Sequence, residues 1–75
     1  MNNKLKINKI KKPVIIWGSY AGYTVDTDFG RVGEIIFQDR WMYSPDGKSV
    51  LLESDDLRKI IKKLDKLNAK IAKNV

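Results

Sequence analysis

Seventy-five residues, a formal net charge of +6, no cysteine and no histidine exclude much of protein chemistry at the outset. One domain is the ceiling at this length, and a chain this short buries only about 60% of its unfolded surface. Disulfides, thiolate nucleophiles, thiolate zinc sites, the Ser-His triad and the commonest metal ligand are all ruled out, so neither catalysis, nor a cofactor, nor a metal is expected.

Met1 to Lys12 carries five lysines, with Leu5, Ile7 and Ile10 separated by polar residues. An unbroken apolar stretch is missing, so the segment does not read as a secretory signal. It reads as a flexible basic arm whose Leu5-x-Ile7 alternation can add an edge strand. No apolar run approaches the roughly 20 residues that cross a bilayer, and a cytoplasmic location is expected. Residues 13–75 then form the domain proper, with Pro13 closing the arm.

Val14-Ile15-Ile16-Trp17, ended by Gly18-Ser19, reads as a short strand, and Tyr20 to Thr27 as a second. Thr27-Asp28-Phe29-Gly30 has turn chemistry. Arg31 to Tyr43 reads as one long third strand. Alternation puts Ile35, Phe37, Trp41 and Tyr43 on one face, and Glu34, Ile36, Gln38, Arg40 and Met42 on the other. Ser44-Pro45-Asp46-Gly47 suits a type I turn. Ser49 to Leu52 follows as a fourth strand, making Arg31 to Leu52 a hairpin.

From Ser54 the pattern becomes helical over residues 55–72. Ser54 is the expected N-cap, Asp55 and Asp56 complement the helix dipole, and Leu57, Ile60, Ile61, Leu64, Leu67 and Ile71 form one apolar stripe. The expected fold is α+β: a four-stranded antiparallel sheet followed by one long C-terminal amphipathic helix, behind a flexible basic N-terminal arm. An SH3-like barrel of residues 14–52 is the alternative, and the long helix argues against it. A helix of 18 residues is about 27 Å long by its rise, more than short strands cover. Either it lies diagonally across its own sheet, or Leu57, Ile60, Leu64, Leu67 and Ile71 form the seam of a homodimer.

Charge is concentrated at the two ends. Pro13 to Leu57 has three basic residues against eight acids, whereas Arg58 to Val75 has seven against Asp65 alone. A basic stripe for nucleic acid must therefore come from the arm and the helix, or from Arg31, Arg40 and Lys48 gathered by folding.

The run Asp28-Phe29-Gly30, Ile35-x-Phe37 and Arg40-Trp41-Met42 with Pro45-Asp46-Gly47, leading through Val50-Leu51-Leu52 into the helix, resembles the single-stranded-DNA-binding transcriptional coactivators of the positive-cofactor-four type. The resemblance covers about residues 20–70. It implies a homodimer paired through its helices, with sheet grooves that hold unpaired strands, and a role in transcription regulation. Phe29 and Trp41 match the family's stacking aromatics. At the basic places this chain has Arg31 followed by Val32, Gln38 with Arg40 two residues later, and Lys48.

Single-strand binding requires rings for bases and cations for phosphates. The candidates are Phe29, Trp41, Tyr43 and Trp17 for stacking, and Arg31, Arg40 and Lys48 for phosphates, with Lys4, Lys6, Lys9, Lys11 and Lys12 adding contacts from the arm. Packing is the competing role for every ring, because a small sheet must bury something under its helix. Gly30-Arg31-Val32-Gly33 is not a phosphate loop, since it lacks the Gly-Lys-Ser/Thr ending. Asp26, Asp28 and Glu34 read as solvated acids flanking turns. The apolar stripe of the helix is more simply used on the sheet than on an anionic membrane. Two functional classes remain: a non-enzymatic module for single-stranded DNA or RNA, and a small protein-interaction module that inhibits or regulates a larger enzyme.

Overall fold

The computed structural model describes residues 5–12, 15–16, 18–47 and 51–73, with the side chains of residues 16, 72 and 73 left aside. Five strands and one helix follow in chain order: β1 (Lys6–Lys9), β2 (Ile15–Ile16), β3 (Ser19–Thr27), β4 (Gly30–Gln38), β5 (Arg40–Pro45) and α1 (Ser54–Lys73). The sheet is antiparallel in the order β1-β3-β4-β5, and two-residue β2 pairs with the start of β3 in the lane that β1 occupies further along. The architecture is the α+β arrangement expected, but its lanes are drawn from different residues.

The fourth lane comes from the arm. Lys6–Lys9 pairs with Asp26–Tyr23, and Leu5 just before it is only 3% exposed. The expected third strand is in fact two strands. The chain reverses at Asp39, whose φ of 67° is left-handed, a region that the short polar side chain of aspartate tolerates better than most. Phe37 then pairs with Trp41 and Ile35 with Tyr43. The β-hairpin thus turns at Asp39, while the expected turn at Ser44–Gly47 closes no hairpin among the described residues. Leu51 and Leu52 are not in a strand; Ser49 and Val50 of the expected fourth strand, with Val14, Trp17 and Lys48, lie outside the described residues.

Two bulges shape the sheet. Gly22 is the extra residue on β3, and Val32 is the extra residue on β4. Each adds local twist and re-aims its neighbours; together they restore the register, so that Asp26 meets Arg31 as Tyr20 meets Phe37. Leu5, Val25, Val32 and Ile35 on the sheet meet Ile60 and Leu67 on α1 to make the core.

The helix starts one residue earlier than the sequence suggests. The N–H of Leu57 donates to Glu53 O at 3.0 Å, and the N–H of Glu53 donates to Asp56 Oδ2 at 3.0 Å. Glu53 is therefore the N-cap and Asp56 the third helical residue reaching back to it, half of a capping box, while Ser54 is already inside. At 20 residues the helix is about 30 Å long, and it lies diagonally. Lys59 Nζ donates to Leu5 O at the β1 edge (3.2 Å), and Asn68 reaches Trp41 on β5. Ile60 and Leu67 of the expected dimer seam are buried in the chain's own core, Leu64 packs against it, Ile71 is half-buried, and Leu57 is 45% exposed.

Candidate nucleic-acid interface

Alternation along β4 and β5, with the Gly22 bulge on β3, puts Tyr20, Tyr23, Phe37 and Trp41 on the helix-facing side, at the end of the sheet near Asp39. Their rings form one cluster. Trp41 is edge-on to Tyr20 (centroids 5.7 Å apart), Tyr23 (5.6 Å) and Phe37 (5.2 Å), and Tyr20 lies 5.6 Å from Phe37. Edge-to-face packing of this kind suits the ring quadrupoles. The bulge at Gly22 makes the cluster possible: a Cβ there would fall 2.6 Å and 2.7 Å from Cζ3 and Cη2 of Trp41. Only glycine lets the indole lie against the β3 backbone.

The rings are half-buried; Tyr23 and Trp41 pack against the core, and with Tyr20, Lys9, Ile10 and Gly22 they line a pocket of about 270 Å³. Cations stand beside it. Lys9 pairs in register with Tyr23, and Lys63 Nζ sits 4.6 Å from the Tyr23 ring centroid, a cation–π contact. Trp41 is further fixed through its backbone: its N–H donates to Asn68 Oδ1 at 2.8 Å, and Asn68 Nδ2 donates to its carbonyl at 3.2 Å. One side-chain amide thus satisfies the outward-facing groups of an edge strand, which also blocks unwanted strand pairing there.

Of the expected binding residues, Trp41 belongs to this cluster and Lys9 of the arm lines its pocket. Phe29 is 77% exposed on the β3–β4 turn, whose N–H donates to Thr27 Oγ1. Arg31 opens β4 beside it and pairs with Asp26 at 3.6 Å. Arg40 begins β5 at the opposite end, about 20 Å from Arg31 by strand rise. Tyr43 serves packing: its ring covers Gly33, and its hydroxyl donates to Val32 O at 3.3 Å. Burial, reinforced by the Asp46 carboxylate, raises its pKa above the ordinary value of 10.0. Lys48 lies outside the described residues. The expected set is therefore spread along the whole sheet.

Asp26 is held by several neighbours. It accepts from Thr24 Oγ1 (3.0 Å) and Asn8 Nδ2 (3.1 Å) besides pairing with Arg31. Among the described residues no three histidine, cysteine, aspartate or glutamate side chains come together to hold a metal, and no helix is long and apolar enough to cross a membrane.

Tyr20, Tyr23 and Lys63 complete the site, and sequence reasoning missed them; Lys9 it named only as one of five arm cations. The tyrosines read as strand formers, and nothing local announces that Lys9 and Lys63 converge on Tyr23 from residues 54 apart. Comparison of the chain with family models, curated proteins and solved structures gives no match, so the reading of the site rests on these residues alone.

Proposed function

We propose that this chain is a non-enzymatic module that binds unpaired nucleic acid, DNA or RNA, in a transcription-regulating role and a cytoplasmic setting. The observation that carries the proposal is the aromatic cluster whose Tyr20, Tyr23 and Trp41 line a pocket with Lys9 and Lys63 beside it. A base entering the pocket stacks on a ring face, and the two ammonium groups hold the flanking phosphates. Stacking is sequence-tolerant and worth about 1–3 kcal/mol per base. Duplex bases are already stacked and paired, which makes unpaired strands the preferred ligand.

Self-association in this proposal keeps only Leu57 of the expected seam. With Ile60 and Leu67 used in one chain's core, Leu57 and Ile61 are the apolar pair that the helix leaves exposed. A homodimer in this proposal forms there, and sedimentation at two protein concentrations tests it.

The binding test is a titration with oligothymidine, following the fluorescence of Trp41 in a Trp17→Phe background. Quenching that saturates at low salt and weakens as salt rises is expected. Tyr20→Ala in that background, and Trp41→Phe read by the anisotropy of a labelled oligothymidine, should each weaken binding with circular dichroism unchanged. Absence of quenching at low salt overturns the reading in favour of a protein-interaction module.

A further inference from the structure

A second concavity adjoins the aromatic pocket. The diagonal path of α1 over β1 leaves a groove of about 350 Å³, floored by Leu5 and Ile7 and walled by Lys59, Lys62, Lys63 and Lys66. Four ammonium groups on two turns of one helix repel each other at i,i+3 and i,i+4 spacing. Among the described residues no carboxylate lines the groove. The ion pairs among the described residues are Arg31–Asp26 and Arg58–Asp55, both elsewhere. Two of the lysines have fixed positions, Lys59 on Leu5 O and Lys63 over Tyr23, whereas Lys62 is exposed outside them with Lys66 one turn on. This is a concentrated positive field over an apolar floor, which attracts anions.

We infer that this groove holds the phosphate backbone of the same strand whose bases enter the aromatic pocket, an assignment that rests on the nucleic-acid reading above. The two sites share a boundary. Lys63 walls the groove while its ammonium lies over Tyr23, and Tyr23 lines the pocket. Cations and rings thus alternate along one path from Lys59 to Trp41. Lys59 and Lys66 are seven residues apart on the helix, about 10 Å, which spaces the cations for two or three consecutive phosphates. The site also places the phosphate contacts on lysines of the helix and not on Arg31, which is paired with Asp26.

The test measures binding of a fluorescently labelled oligothymidine by anisotropy across a salt series. Single strands give a log–log slope of about −0.7 per neutralised phosphate, so about three contacts predict a slope near −2. Lys62→Glu with Lys66→Glu should lower affinity tenfold or more and flatten the slope by about 1.4, whereas Arg31→Glu should change neither much. Lys62→Gln with Lys66→Gln, which adds no repulsion, should move both in the same direction. Circular dichroism checks that each variant is folded. Wild-type protein that fails to bind at low salt overturns the nucleic-acid reading itself. Wild-type binding that survives both groove variants but is lost in Arg31→Glu leaves that reading standing and overturns the groove. Tighter, groove-dependent binding to vesicles containing one-third anionic phospholipid also overturns the assignment to a nucleic-acid backbone.

Discussion

Two glycines sit under side chains of β5, and replacing each with alanine separates a backbone obstacle from a side-chain one. At Gly33 a Cβ would lie 2.6 Å from the carbonyl oxygen of Ser44 and 2.7 Å from both Cε1 and the hydroxyl oxygen of Tyr43. Ordinary contact begins near 3.4 Å, so the β5 backbone and the Tyr43 ring must both withdraw by most of an ångström. The backbone is tied into the β4–β5 ladder at Glu34–Ser44, and the ring is tied by its hydrogen bond to Val32 O. Overpacking costs about 1–3 kcal/mol. Weakening the hydroxyl's bond adds about 0.5–1 kcal/mol, and the stiffer unfolded chain returns a similar amount. A net loss of about 2 kcal/mol is expected for Gly33→Ala. At Gly22 the obstacle is the outer rim of the Trp41 indole, which can swing toward the pocket. Gly22→Ala should therefore cost about 1 kcal/mol and shift the Trp41 emission in a Trp17→Phe background. Urea unfolding followed by circular dichroism reads both; with m near 1 kcal/mol per molar, the midpoints fall by roughly 2 M and 1 M. A Gly33→Ala protein within about 0.5 kcal/mol of wild type, or a Gly22→Ala protein that loses more than it, would refute the reasoning.

Other consequences are as direct. Asn68→Leu strips Trp41 of both partners on the β5 edge, so the melting temperature should fall by an amount equivalent to about 1–2 kcal/mol. Concentration-dependent self-association should also appear in sedimentation as the edge becomes available. Asp56→Ala removes the acceptor for the Glu53 N–H and should cost about 1 kcal/mol in denaturant unfolding, with helix content at the first turn reduced. For Tyr43 the raised pKa means that the folded chain favours the neutral phenol. The associated stability is complete below pH about 10 and is lost as pH rises through the raised value. Tyr43→Phe should therefore flatten the alkaline fall of the urea midpoint, while costing about 1 kcal/mol at neutral pH for the lost bond to Val32 O. An unchanged alkaline profile in that variant would show that another group controls it.

Much of the sheet was legible from alternation, including a part that survived a wrong connection. Arg31 to Tyr43 reads as one strand yet folds back at Asp39, and the faces are unaffected. A reversal centred on a single residue pairs odd positions with odd ones, so Ile35, Phe37, Trp41 and Tyr43 share a face whether the strand is straight or folded. The reversal itself was hidden because Gln38-Asp39-Arg40 contains no glycine, and a left-handed aspartate has no distinctive neighbours. The edge strand at Ile7 was visible in a two-residue alternation; its role in burying Leu5 was not, because that depends on Ile60 and Leu67. The site was the least legible element. Trp41 stood out, but its cationic partners come from the two chain ends, and their convergence depends on the diagonal crossing of α1, which the stripe alone does not fix.

The hydrogen bond from Lys59 to the carbonyl of Leu5 joins residues 54 positions apart. In folding terms it belongs to the last class of contacts to form, since long loops close after local hairpins such as β4–β5. During synthesis the β3–β5 meander can pair while α1 is still unmade, and in that interval the lysine-walled recess does not exist. The proposed anion affinity of the groove therefore belongs to the finished fold alone. A binding measurement doubles as a count of chains whose first strand and last helix have met.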